Sequence, residues 1–544
     1  MTKIKAEPYQ LVMEIPGIGF KTADRIGRGL GLPLDTPARL EVGVLSTLQK
    51  FTRDGHVYAP QGYLIQESAQ LLGVADTLMA NTLNDLEEQG FIRRETLPDS
   101  TEPAVYLRLL HQAETETAEA LRTMLNTPET RLLGITFEWD TQLDRPLSPD
   151  QQQAVQTALT SKVCVITGKP STGKTTTLRA LIQQLDKSGR RYALASPTGR
   201  AAKRLAQVTH HEAQTIHRLL GWLPKTGFGF TEYHQLNVDM VVVDEASMVD
   251  IRLMSHLLLA LSPATHLLLV GDVDQLPSVG PGNVLGDLIT SGQIPVARLT
   301  TVFRQAADSH IITNAHRINR GQMPLFPKDG QDFFLFQKSD PKAVAEWVVD
   351  IVQNRIPRKF GLDPLRDIQV LTPMRKGEVG VDKLNERLQA ALNPPGPDKA
   401  EHQFGGCVFR VGDRVMQIRN DYDKEVVNGD VGQVSDIDAK GQSLTVAFEP
   451  DGQPVAYAWK DVANDLRHCY AANIHKAQGS EFPAVVVPVV KQHRRMLQRN
   501  LLYTAITRAR QICVLVGTRQ AIWVAVENAN AVKRWSGLAL RLKG

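Results

Sequence analysis

Residues 168–177 read Gly-Lys-Pro-Ser-Thr-Gly-Lys-Thr-Thr-Thr, placing two glycines, a lysine and a hydroxyl at the spacing Gly-x-x-x-x-Gly-Lys-[Ser/Thr]. That spacing suits the holding of a chain of phosphates. The glycines let the backbone curl so that successive amides point at phosphate oxygens, at the positive end of a following helix. Lys174 then reaches the β- and γ-phosphates, and the Thr175 hydroxyl holds Mg²⁺. Gly168, Pro170, Ser171, Thr172, Gly173 and Thr176 complete the candidate cradle. The apolar run Val163-Cys164-Val165-Ile166 precedes it and the helix-like Leu178-Arg179-Ala180-Leu181-Ile182 follows. A glycine-rich turn with a surface lysine is the plainer alternative, but the strand–loop–helix setting favours a nucleoside triphosphate site.

Two further apolar runs end in polar groups. Met240-Val241-Val242-Val243 delivers Asp244-Glu245-Ala246. Beside a phosphate loop, Asp244 suits Mg²⁺ held through its water shell, and Glu245 suits polarising the attacking water. Leu267-Leu268-Leu269-Val270 leads into Gly271-Asp272-Val273-Asp274-Gln275-Leu276-Pro277.

The elements that must position these groups follow from length and pattern. At 544 residues the chain exceeds one core, and roughly three to five domains are expected. Cys164, Cys407, Cys469 and Cys513 form no Cys-x-x-Cys pair, which argues against a disulfide framework or zinc site and suits a reducing cytoplasm. No secretory signal or membrane-spanning apolar run is found. The net charge of +4 neither demands nor excludes nucleic acid; only clustering decides. Arg200, Lys203 and Arg204 share one helical face, and Lys491, Arg494, Arg495 and Arg499 crowd a short segment, although such clusters are commonly solvated faces.

Along the chain, Ile15-Pro16-Gly17-Ile18-Gly19-Phe20-Lys21 opens into a helix and resembles a helix-hairpin-helix, in which Gly17 and Gly19 bare backbone amides to a DNA phosphate and Lys21 adds charge. This element, 1–37, starts almost at the first residue, so the chain is expected to be short or truncated here. Residues 38–110 read as three helices and two strands, a winged-helix order. Its third helix carries Asp85, Glu87 and Glu88, the wrong sign for a groove, so the module is expected to be structural or protein-facing. A polar, acidic helix near 111–125 and the segment through Pro146 are expected to form a linker over 111–146. Strands alternating with helices then predict a parallel α/β sheet, over 147–300 and again over 301–388 and 471–544. Short antiparallel strands around Gly412 and Gly429 predict a small β-barrel inserted at 389–470.

From Leu147 to about Gly517 the motif order resembles the RecD-type branch of superfamily-one helicases. The resemblance implies two RecA-like domains hydrolysing MgATP between them and pulling single-stranded DNA 5′ to 3′. In that family Gln151 would read adenine, Gln275 would sense the γ-phosphate, and Arg304 (Val302-Phe303-Arg304-Gln305) and Arg508 (Tyr503-Thr504-Ala505-Ile506-Thr507-Arg508-Ala509) would serve as arginine fingers. Pro197, Thr198, Arg200 and His217 match segments holding DNA on the first domain; Arg375, His475 and Lys476 match those on the second. Gly479 and Glu481 would sit by the nucleotide, and an aromatic hairpin at 222–236 would split strands. The implied partners are single-stranded and forked DNA, with a monomeric motor, a role in repair or recombination, and no nuclease pattern of its own. A nucleotide-switched DNA-binding scaffold and an RNA-directed helicase remain the alternatives.

Overall fold

The computed structural model describes residues 8–15, 17–98, 100–135, 146–301, 309–327, 330–421, 423–449, 452–529 and 533–544. Two parallel sheets lie at its centre. In the first, β1 (Val163–Gly168), β2 (Tyr192–Ser196), β3 (Ala213–Thr215), β4 (Met240–Val243), β5 (His266–Gly271) and β6 (Val296–Leu299) lie in the order β3-β2-β4-β5-β1-β6. Every pairing in it is parallel. Strands covered by helices on both faces must be apolar throughout, and β4 and β5 are buried along their whole length. Since β4, β5 and β1 are neighbours, the loops at their C-terminal ends (168–173, 244–245 and 272–275) emerge side by side. Open α/β sheets bind ligands at that edge.

The second sheet comprises β7 (Phe333–Gln337), β8 (Ile368–Thr372), β9 (Ala471–Asn473), β10 (Phe482–Val489) and β11 (Ala509–Gly517), in the order β7-β11-β10-β8-β9 and all parallel. Between the paired strands β8 and β9 the chain leaves the sheet for residues 373–470. This excursion holds the helix Val381–Leu392, a two-stranded ribbon and a five-stranded antiparallel sheet. Its strand Ser443–Phe448 alternates buried and half-buried positions, so Leu444, Val446 and Phe448 join Val455 and Tyr457 in a separate small core. Gly412 and Gly429 turn the chain at φ 93° and 103°, backbone that L side chains rarely adopt.

At the N-terminal end, Gly17 (φ 96°) leads to the helix Phe20–Gly29, whose N-cap is Gly19. Pro16 lies outside the described residues. Helices Pro37–Arg53, Gln61–Leu72 and Asp76–Glu88 follow, with a three-stranded sheet of Tyr58–Pro60, Ile92–Glu95 and Ala104–Leu107. Residues 108–126 form the expected helix, but it belongs to this body and is not part of a linker. Its face of Leu110, Ala113, Ala118, Leu121 and Met124 is buried in the core of the first α/β domain. Apart from Glu114, its charged residues are partly or fully exposed and hide that stripe from a composition reading.

The C-terminal segment also departs from expectation. Residues 533–544, expected with the second α/β domain, lie against the N-terminal module and the first domain. Leu538 and Leu542 are buried beside Leu110 and Leu121, and Trp535 stacks on His56 at 4.1 Å between ring centres. A buried charge anchors the join. Glu114 has a side chain with no exposure and accepts from Tyr106 Oη (2.9 Å), Ser536 Oγ (3.0 Å), the Gly537 amide (2.8 Å) and Arg541 Nε (3.1 Å). Among the described residues no helix is long and apolar enough to cross a membrane, and all four cysteines are free.

Removing Glu114 leaves the Tyr106 and Ser536 hydroxyls and the Gly537 amide without their acceptor, at a cost of about 1–3 kcal/mol, while Arg541 keeps Glu95 as a partner (3.0 Å). Glu114→Ala should therefore lower the opening free energy of residues 533–544 by that amount, read as faster amide hydrogen exchange. Exchange unchanged within a factor of two would show that the carboxylate does not hold the segment.

Candidate active site and nucleic-acid face

The phosphate loop turns on two left-handed residues, Ser171 (φ 61°) and Gly173 (φ 83°), the latter capping the helix Lys174–Lys187. Lys174 Nζ donates to the carbonyls of Gly168 (2.5 Å) and Lys169 (3.3 Å), which folds the ammonium over the loop. The loop borders a cavity of about 340 Å³. Pro170, Ser171, Gly173, Lys174 and Thr175 line it, together with Asp244, Glu245 and Gln275 from the neighbouring strand ends and Glu481 and Arg508 from the second domain. Gly168 and Thr172 face a second cavity behind the loop; Thr176 lies on the capped helix. Arg304 lies outside the described residues.

The cavity wall is electrostatically primed. Burial, with the neighbouring Glu245 charge, pushes the Asp244 carboxyl above its ordinary range. Glu245 holds φ 54°, a strained backbone of the sort found at functional sites. Gln275 Nε2 donates to Asp272 Oδ2 (3.4 Å), while Gln275 Oε1 and Arg508 Nε are buried with no hydrogen-bond partner among the described residues. Arg508 donates to the Ser480 carbonyl (3.1 Å) and Thr507 Oγ1 (3.4 Å). Gln151 accepts from the Ser148 amide (3.0 Å) and donates to the Gly173 carbonyl (3.3 Å), so its amide ties a helix cap to the phosphate loop.

The basic face of helix Gly199–Thr209 fans out to three partners. Arg200 places its guanidinium 5.0 Å over the Phe482 ring, Lys203 pairs with Asp430 (2.6 Å), and Arg204 pairs with Glu481 (2.5 Å). Val427 packs directly on Gly199, and Lys476 donates to Asn428 (2.9 Å). The inserted unit's 427–430 loop thus rests on the very segments matched to DNA binding. Thr198 caps the helix through the Ala201 amide (3.3 Å), with Pro197 just before it. Gly479 (φ 73°) meets Ala201 and Thr198 rather than lining the nucleotide cavity. His475 bonds Asn473 (2.9 Å), and Arg375 is exposed and pairs with Asp382 (3.2 Å).

The aromatic segment 222–236 forms two tight turns, bridged Leu223 to Gly227 and Thr231 to His234, rather than one regular hairpin. His217 and Phe228 pack together at 5.8 Å, and His217 meets Trp222 edge-on at 6.1 Å. Tyr233 stands 92% exposed at the outer turn. At the N-terminal end Gly17, Gly19 and Lys21 are exposed, and nothing lies within 4 Å of where a side chain would start on either glycine.

Family models match four stretches: an AAA domain over 146–331, the SH3 domain of ATP-dependent RecD-like DNA helicases over 384–448, a UvrD-like helicase C-terminal domain over 468–516, and the HHH domain of ATP-dependent RecD2 DNA helicases over 1–58. The ATP-dependent RecD2 DNA helicase of Deinococcus radiodurans is 36% identical over 522 residues, covering 94% of this chain and 70% of that one. The RecBCD enzyme subunit RecD of Mycobacterium tuberculosis is 33% identical, covering 72% of this chain and 73% of its own. The chain belongs to the RecD-like DNA helicase family. A solved Pif1 helicase from Candida albicans aligns at 21% identity over 70% of this helicase and 97% of its own chain, with a TM-score of 0.45.

The helicase closes its cleft partly through residues of the matched motifs acting across the two domains. Glu481 bridges Arg204 of the first domain and Arg510 of the second (2.8 Å). Burial would raise its pKa, but the arginines hold it below the ordinary value. Tyr503 Oη donates to Asp272 (2.6 Å), and Thr504 and Gln478 bond the backbone of Leu276. Arg204 was visible as a member of a basic face, but its spacing could not name its partner 277 residues away.

The raised pKa of Asp244 carries a pH signature. Folding favours its protonated form, so the cost of ionising it is absent below the unfolded pKa and complete above the folded one. Asp244→Asn should raise the melting temperature of the nucleotide-free helicase at neutral pH, with the gain fading towards mildly acidic pH. A gain equal at both pH values would remove the assignment.

Proposed function

We propose that this helicase hydrolyses MgATP in the interdomain cleft and moves 5′ to 3′ along single-stranded DNA, separating the duplex ahead of it. The carrying observation is one cavity where Lys174, Asp244, Glu245 and Gln275 of the first domain face Arg508 of the second. The donor set fits the nucleotide: backbone amides at a helix N-terminus and an ammonium for phosphates, with a hydroxyl and a carboxylate for the metal. Magnesium, held by Thr175 and Asp244, would neutralise phosphate charge.

The residue roles follow from that arrangement. The loop Gly168, Pro170, Ser171, Thr172, Gly173, with Lys174 and Thr176, grips the phosphates. Glu245 polarises the attacking water, and Gln275 registers the γ-phosphate. Arg508, with Arg304 as its expected companion, stabilises charge developing there; an arginine in that role is worth about 10³–10⁵ in rate. Charge bridging two domains draws them together while triphosphate is bound and lets them part afterwards.

Pro197, Thr198, Arg200 and His217 on one domain, with Arg375, His475 and Lys476 on the other, form the proposed DNA track. The 427–430 loop covers part of it and would have to lift. Gly17, Gly19 and Lys21 offer a separate backbone-phosphate contact, and the exposed Arg25 and Arg28 extend that basic helix face. Polarity rests on the family resemblance and on the non-aromatic Pro277-Ser278-Val279. A monomeric motor in a reducing cytoplasm, acting in repair or recombination, completes the proposal.

Strand separation of duplexes with a 5′ or a 3′ single-stranded tail tests it, with wild type and Lys174→Ala run together. Separation of the 5′-tailed duplex alone, lost in the variant, is expected. Preference for the 3′ tail would reverse the polarity. DNA-stimulated ATP hydrolysis without separation of either would leave a nucleotide-driven switch.

A further inference from the structure

Gln275 is followed by a loop, 276–282, held at its two ends by different parts of the chain. At the near end the second domain grips Leu276, whose amide donates to Thr504 Oγ1 (3.1 Å) and whose carbonyl accepts from Gln478 Nε2 (2.9 Å). At the far end Arg534 takes hold. Its Nη1 donates to the carbonyls of Gly282 (2.6 Å) and Gly280 (3.0 Å) and to Ser278 Oγ (3.1 Å), and its Nη2 donates to the Ser278 carbonyl (2.7 Å).

The mount for this guanidinium is rigid. Trp535, next in sequence, stacks on His56 and packs edge-on against Phe51 at 5.7 Å. Its amide donates to His56 Nδ1 (3.0 Å), and its carbonyl accepts from the Val57 amide (2.8 Å). The turn itself is pinned to the same module, since the Gly282 amide donates to the Gly55 carbonyl (2.9 Å). Any side chain at Gly55 would collide with Arg534.

Burial lowers the Arg534 pKa to about 10, against the opposing pull of Asp250 and Asp287. Apolar contacts would fasten a strap at less cost than a desolvated cation. What a planar fork adds is direction, since its donors fix several carbonyls at once. We propose that Arg534 is a positioning residue for ATP hydrolysis. By fixing the 278–282 turn to the N-terminal module, it gives the Gln275 loop a stationary end. The pull of Thr504 and Gln478 on closure then turns Gln275 instead of dragging the whole loop. This rests on the reading of Gln275 given above.

The test measures ATP turnover by the full chain with saturating single-stranded DNA, alongside its melting temperature. Arg534→Ala should lower kcat about tenfold while the KM for ATP stays within about twofold, the pattern of a lost transition-state contribution. Arg534→Lys should recover only part of the rate, because an ammonium cannot span the three carbonyls. Leu542→Ala, which loosens the same strap away from the turn, should lower the melting temperature with kcat within about twofold. In a Gln275→Ala background, Arg534→Ala should cost less than a further twofold. An Arg534→Ala kcat equal to wild type, an equal loss from Leu542→Ala, or a full tenfold loss in the Gln275→Ala background would each overturn the proposal. Full turnover by Gln275→Ala alone would instead remove the reading of Gln275 on which it stands.

Discussion

A single carboxylate shared across the cleft organises the molecule. Glu481 belongs to the second domain, yet one of its oxygens serves Arg204 of the first while the other serves Arg510 of its own. A half-buried carboxylate loses part of its hydration, and here the arginines of both domains make that good only while the domains are close. The same approach brings Tyr503 to Asp272 and Arg508 to the cavity holding Lys174. Hydrolytic chemistry and domain geometry therefore share one set of contacts, and loss of charge balance in the cleft is felt by both.

The second organising feature is strand order. Because β1, β4 and β5 are adjacent, three sequence-distant loops need no long excursions to converge. The inserted unit leaves and rejoins the second sheet at β8 and β9, which pair directly, so its 98-residue stretch (373–470) hangs from a narrow base. Its loop nonetheless reaches back to Gly199, Lys203 and Lys476, crossing from one domain to the other over the proposed DNA track.

What was legible in the sequence was local. The phosphate loop, the acids after β4 and the glutamine after β5 are each specified by a few consecutive residues whose backbone sets their geometry, and all line the cleft as one group. Gly412 and Gly429 likewise marked real turns. Legibility failed where a side chain's meaning lies in a distant partner. Arg200, Lys203 and Arg204 read as one basic face but answer to Phe482, Asp430 and Glu481. Gly479, expected beside the nucleotide, is used for close approach to Ala201. The helix 108–126 and the segment 533–544 look polar or unremarkable alone, since their apolar residues find cover in each other, in the first domain and, for Trp535, in the N-terminal module.

The Glu114 cluster has a consequence for biosynthesis. Its cationic partner Arg541 lies 427 residues further along the chain, and domains otherwise tend to fold as they emerge, N-terminal first. The module carrying Glu114 leaves the ribosome with an acid built for burial while Arg541 is still to be made. Its final packing waits until Arg541 has been made, so a chain interrupted between the cleft residues and Arg541 carries its nucleotide-binding core but never seals the module that holds Glu114.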